Sequence, residues 1–85
     1  MTTRIIYITH SDGTQTSRNP IVAKNGAIYS VMIDKNSLTY AIKNVGRNNV
    51  VKSGGPVKSY VYLLRVIKKE LTSLGVEFGL EVRKV

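Results

Sequence analysis

Few side chains in this 85-residue chain could carry covalent chemistry. The carboxylates number five: Asp12, Asp34, Glu70, Glu77 and Glu81. Glu77 and Glu81 alternate onto one face of an expected strand, but four residues of strand separate them by about 13 Å. That is wider than the usual acid/base pair of a glycosidase. His10, Ser11 and Asp12 spell a catalytic triad only as letters, because adjacent residues do not place a base against a nucleophile. His10 reads instead as a strand-end histidine beside a turn. One histidine does not make a zinc site, and the absence of cysteine excludes disulfides and thiolate centres. The expectation is a non-catalytic protein without a cofactor or metal.

Anion recognition is better represented. Of thirteen basic residues, eight fall between positions 35 and 69, where there is no acid: Lys35, Lys43, Arg47, Lys52, Lys58, Arg65, Lys68 and Lys69. The formal charge of +8 is therefore concentrated in the middle of the chain, which suggests a surface facing an anionic partner. Arg47-Asn48-Asn49 would sit in a tight turn, offering phosphate and base-edge chemistry at an exposed tip. Asn is also common in turns for backbone reasons alone. Ser53-Gly54-Gly55, flanked by Lys52 and Lys58, would present backbone N–H groups at a helix start, where a phosphate can bind. It lacks the spacing of a P-loop or a dinucleotide fold.

The element organising this charge is a helix expected over Pro56–Leu74. Pro56 suits a first helical position, Ser53 or Gly55 would cap it, and Gly75 would stop it. At 100° per residue, Leu63, Leu74, Ile67, Tyr60, Leu71, Leu64 and Val57 form one apolar arc. Lys58, Tyr62, Arg65, Lys69 and Thr72 form the opposite one, with Lys68 at its border. Glu70 faces away from the stripe of Lys58, Arg65 and Lys69. Such a face is either a solvated surface or a docking surface.

The remaining elements are strands. Arg4–Thr9 is apolar on both faces and is expected at a central or covered position. Residues 11–19 read as a polar, mobile loop; alternatively Asp12-Gly13 is a hairpin turn with Gln15–Ser17 pairing back. Pro20–Lys24 is a short strand, and Asn25-Gly26 signals a type I′ turn. Ala27–Ile33 and Leu38–Val45 follow, joined by a turn at Asp34–Ser37, and then Val50–Lys52. After Gly75, Val76, Phe78, Leu80 and Val82 alternate as a final strand. Tyr7, Tyr29, Tyr40 and Tyr60 can serve as core residues, leaving Tyr62 as the one aromatic on a cationic face. The fold class is α+β: a mostly antiparallel sheet of about five strands, one helix packed on one face, and a final strand after it, in a single domain.

Three strands followed by a helix (27–33, 38–45, 50–52, 56–74) resemble, in element order, the DNA-binding domains of plant ethylene-response factors and the arm-binding domains of tyrosine integrases. The resemblance covers about the middle half of the chain. It implies a sheet that enters the DNA major groove, and it carries over no individual residues. The expected function is nucleic-acid binding, with duplex DNA favoured over RNA. The residues are Lys43, Arg47, Asn48, Asn49, Lys52, Lys58, Tyr62, Arg65 and Lys69. Six neutralised phosphates would give a log–log salt slope of about −5. The alternative is a protein–protein module that regulates or inhibits an acidic protein, or builds a phage or virus structure, and forms a homo-oligomer through its sheet edges. No apolar run reaches membrane-spanning length and no signal peptide is evident, so a cytoplasmic, intracellular protein without a membrane partner is expected.

Overall fold

The computed structural model describes residues 5–78. It is a two-layer α+β domain: a six-stranded antiparallel sheet with one helix on one face. The strands are β1 (Tyr7–Thr9), β2 (Thr14–Ser17), β3 (Ile21–Val22), β4 (Ile28–Asp34), β5 (Thr39–Asn44) and β6 (Asn49–Gly54); the helix is α1 (Tyr60–Ser73). The spatial order is β1-β2-β4-β5-β6, with β3 paired to β4 beyond the end of β2.

The period-2 pattern decides which face is covered. Tyr29, Val31 and Ile33 of β4 and Tyr40 and Ile42 of β5 are buried, and they face Leu63, Ile67 and Leu71 of α1. The other face, called the open face here, carries Ile8, Ile28, Met32 and Val50 with large exposed areas.

The helix begins four residues later than its period suggests. Ser59 caps it, with extended backbone and its Oγ accepting the Tyr62 N–H at 3.1 Å. Pro56 and Val57 belong to a linker, which the Val57 N–H ties to the Leu38 carbonyl at 3.1 Å. Val57 still packs against the core, which is why it fits the apolar arc without being helical. The helix stop follows expectation. Gly75 has φ +96°, its N–H donates to Thr72, and the Val76 N–H donates back to Leu71 at 3.0 Å. This is a Schellman ending, with Val76 buried against the core.

Other expectations are corrected. Of the two readings of residues 11–19, the hairpin holds rather than the loop: Asp12-Gly13 turns the chain, Gln15–Ser17 pair back on Tyr7–Thr9, and β2 lies inside the sheet, between β1 and β4. β1 is an edge strand, and its alternating apolar residues leave Ile8 on the open face. The turn at Asn25-Gly26 is not type I′, since only Gly26 has positive φ. The Ala23 carbonyl accepts the Gly26 N–H at 3.0 Å, so the connection is a longer turn closed by a glycine bulge. Val76, Glu77 and Phe78 are not in a strand, and the rest of the expected final strand lies outside the described residues.

Candidate nucleic-acid interface

Register sorts the basic residues by surface, because directly opposed residues in an antiparallel pair share a face. Lys43 pairs with Ser30 and with Val50, so it stands on the open face. Lys52 pairs with buried Ile42, so it stands on the helix side. A bulge between Ile42 and Lys43 makes Val51 the extra residue, and this re-aims the edge strand.

Arg47 and Asn48 lie in the β5–β6 turn at the end of the sheet, and Asn49 opens β6 beside them. The Asn44 Oδ1 accepts the Arg47 N–H at 3.0 Å, and Asn48 takes φ +56°, a left-handed conformation that Asn tolerates. Arg47, Asn48 and Asn49 are all exposed. Between this turn and the β3–β4 turn lies an open cleft of about 580 Å³. Nothing in the sequence pattern announces this cleft. The available signal is that Asn25, within one turn, and Asn44, at the start of another, are each of a residue type that bonds the backbone just ahead of it.

On α1, Arg65 and Lys69 lie one turn apart on the outer face, preceded by Tyr62 and by Lys58 just before the cap. The Lys58 Nζ sits 5.3 Å from the Tyr62 ring centroid, a cation–π distance. Lys68 is placed similarly over Phe78, at 5.3 Å. The Glu70 carboxylate turns toward the sheet edge, 3.6 Å from the Lys52 Nζ. Burial, and then the charge of Glu70 and hydrogen bonding to it, raise the Tyr40 hydroxyl above its ordinary value. Among the described residues the ion pairs are Lys52–Glu70 and Lys24–Glu77, so the outer helix face carries no internal neutralisation.

The expected residues thus fall into separate groups. Lys58, Tyr62, Arg65 and Lys69 share the outer helix face. Lys43 lies on the opposite side of a fold 20 Å thick. Arg47, Asn48 and Asn49 cap the sheet end, and Lys52 is engaged at the seam.

The other chemistry-bearing residues have structural partners. The His10 Nε2 lies 2.9 Å from the Thr16 Oγ1. Asp12 accepts from the Thr14 hydroxyl at 2.6 Å and the Thr14 N–H at 3.0 Å, and these bonds, with the nearby His10, hold its carboxyl below the usual range. Ser53-Gly54-Gly55 is not at the helix start, as the sequence suggests. Ser53 and Gly54 end β6, and a Cβ at Gly54 would come within 2.9 Å of the Tyr40 ring. Glu77 pairs with Lys24 at 3.1 Å, and Glu81 lies outside the described residues. Among the described residues no cluster of three His, Cys, Asp or Glu could hold a metal, and no helix is long and apolar enough to cross a membrane.

The chain matches no protein-family model, and comparison with curated proteins and with solved structures finds no match. The likeness to ethylene-response-factor and integrase domains therefore stays at the level of element order.

Proposed function

We propose that the protein binds nucleic acid, with duplex DNA favoured, through the outer face of α1. The observation that carries this reading is the unneutralised stripe of Lys58, Arg65 and Lys69 with Lys68 at its edge, the helix's one acid being directed at Lys52 instead. Binding is dominated by phosphate contacts, with Tyr62 available for packing against a sugar or base. Because the cations divide between surfaces, about three or four phosphates are neutralised, which predicts a salt slope of about −3 rather than −5.

The test is fluorescence anisotropy on a random duplex, a single strand and an RNA hairpin over a salt series. Arg65→Ala/Lys69→Ala should make the slope about 2 units shallower, while Lys43→Ala/Arg47→Ala should leave duplex binding nearly unchanged. Absence of duplex binding at low salt overturns the reading. The opposite ranking of the two double variants moves the interface to the sheet.

One observation favours a second reading. The open face exposes Ile8 on β1, Ile28 and Met32 on β4, and Val50 on β6, and exposed apolar residues sharing one face are met at protein-docking surfaces. Light scattering across a concentration series distinguishes a self-associating protein from a monomeric one.

A further inference from the structure

The cleft at the sheet end has a chemistry of its own. It is walled by Asn25 from the β3–β4 turn, Asn44 from β5, Arg47 from the β5–β6 turn and Asn49 from the start of β6, with Ile28 and Val51 as its apolar lining. Two of the amides are oriented by the backbone. The Asn25 Oδ1 accepts the Ala27 N–H at 3.0 Å, and the Asn44 Oδ1 accepts the Arg47 N–H at 3.0 Å. With these oxygens engaged, each side chain has its NH2 group, two donors, left to offer. The Arg47 guanidinium adds five more donors and a fixed positive charge. Among the described residues no carboxylate lines the cleft. Glu77 is paired with Lys24, the neighbour of Asn25 in the chain, at 3.1 Å.

Such a wall is rich in donors and has no acid. It suits a compact oxyanion, and phosphate is among those whose geometry a guanidinium fork matches. The volume of about 580 Å³ is far more than one oxyanion fills and falls among small-molecule sites, typically about 300–1,000 Å³. Ile28 and Val51 give the remainder of the ligand an apolar surface. We infer that this cleft is a phosphomonoester site, with the phosphate on Arg47, Asn25 and Asn44 and the organic body over Ile28 and Val51. This site is distinct from the helix face and does not depend on duplex binding there.

The experiment is a 1H–15N titration of the full chain that follows the side-chain NH2 signals of Asn25, Asn44 and Asn49 and the Arg47 Nε–H. The probes are a nucleoside 5′-monophosphate, the unphosphorylated nucleoside and inorganic phosphate. Asn44→Asp keeps the Oδ1 that accepts the Arg47 N–H while replacing the donors with a charge. Asn25→Asp does the same for the other turn. Asn19→Asp, on an exposed segment away from the cleft, makes the same charge change as a control. The expected result is saturable movement of these signals with the monophosphate at millimolar concentration. Asn44→Asp should weaken it by about tenfold or more, and Asn19→Asp by much less. Silent amide signals, an equal response to nucleoside, an equal response to inorganic phosphate, or unchanged binding in Asn44→Asp would each overturn the assignment. Duplex binding with silent cleft amides rejects the cleft and leaves the helix reading intact; cleft binding without duplex binding does the reverse.

Discussion

The Lys52 Nζ and the Glu70 Oε1 stand 3.6 Å apart, joining the edge strand of the sheet to the flank of the helix. This pair removes the one helical acid from the cationic stripe and occupies the cation on the adjoining strand. Both side chains are partly exposed, so the pair itself contributes little to stability, about 0–1 kcal/mol. Its larger effect is on the field outside the helix. Glu70→Gln keeps a hydrogen-bonding group beside Tyr40 and releases Lys52. If α1 is the nucleic-acid face, this variant binds duplex more tightly, with a salt slope steeper by about 1. Unchanged affinity and slope would remove Lys52 and Glu70 from the interface. Urea melting should show nearly wild-type stability.

Tyr7 makes stability sensitive to alkali. Burial, and secondarily the neighbouring Tyr60, push its hydroxyl from 10.0 up to about 12. The folded state thus holds this proton more firmly than the unfolded chain does. The stability associated with the neutral hydroxyl is fully present below pH 10 and is lost as the pH rises from 10 through 12. Allowing for partial exposure, the loss is about 2 kcal/mol. Tyr7→Phe keeps the ring against the core and cannot titrate. Denaturant melts at neutral pH and at pH 11.5 should show wild type losing more stability than Tyr7→Phe. Equal losses would place the Tyr7 hydroxyl in solvent.

The helix cap gives a graded prediction. Ser59 is the residue whose side chain satisfies the Tyr62 N–H at the start of α1. Ser59→Ala should lower stability by about 1 kcal/mol, and Ser59→Gly by only a few tenths. Substituting Ser53, the cap suggested by the sequence, should have no effect on the helix. Urea midpoints with unchanged slopes would report these differences. A loss at Ser53 matching that at Ser59 would argue for a helix that starts earlier.

The sheet and helix were legible because their burial is periodic. Tyr29, Val31 and Ile33 alternate, Tyr40 and Ile42 alternate, and Leu63, Ile67 and Leu71 recur every four residues, so each element announces its covered face. The helix start was not legible. Pro56 and Val57 satisfy helical statistics, yet the Val57 N–H is bound to the Leu38 carbonyl, a contact made across the fold. β2 was legible only as an alternative to a loop, for a related reason. Thr14-Gln15-Thr16-Ser17 has no apolar face, and its burial rests on hydrogen bonds. Which basic residues share a surface also required the register, because a one-residue difference between Lys52 and Ser53 moves a side chain through the sheet. The cleft depends on two distant turns meeting at one sheet end, which no local pattern encodes.

The buried amide that places β2 can be tested as a pair. Gln15 is 7% exposed; its Nε2 donates to the Thr9 Oγ1 at 3.0 Å, and its Oε1 accepts from the Tyr60 hydroxyl at 2.7 Å. The second bond joins β2, a strand without an apolar face, to the first turn of the helix. Tyr60→Phe keeps the ring but leaves a buried carbonyl oxygen without this donor, which should cost about 1–3 kcal/mol. Gln15→Met in the wild-type background loses both bonds and leaves the Tyr60 hydroxyl unpaired, with a cost of similar size. Gln15→Met/Tyr60→Phe removes both polar ends of the bond, so its cost should fall well below the sum of the single changes. A coupling energy of about 1 kcal/mol or more from the double-mutant cycle is the expected outcome. Additive losses would mean that water satisfies each group in the single variants, and that β2 is held in the sheet by its backbone ladder alone.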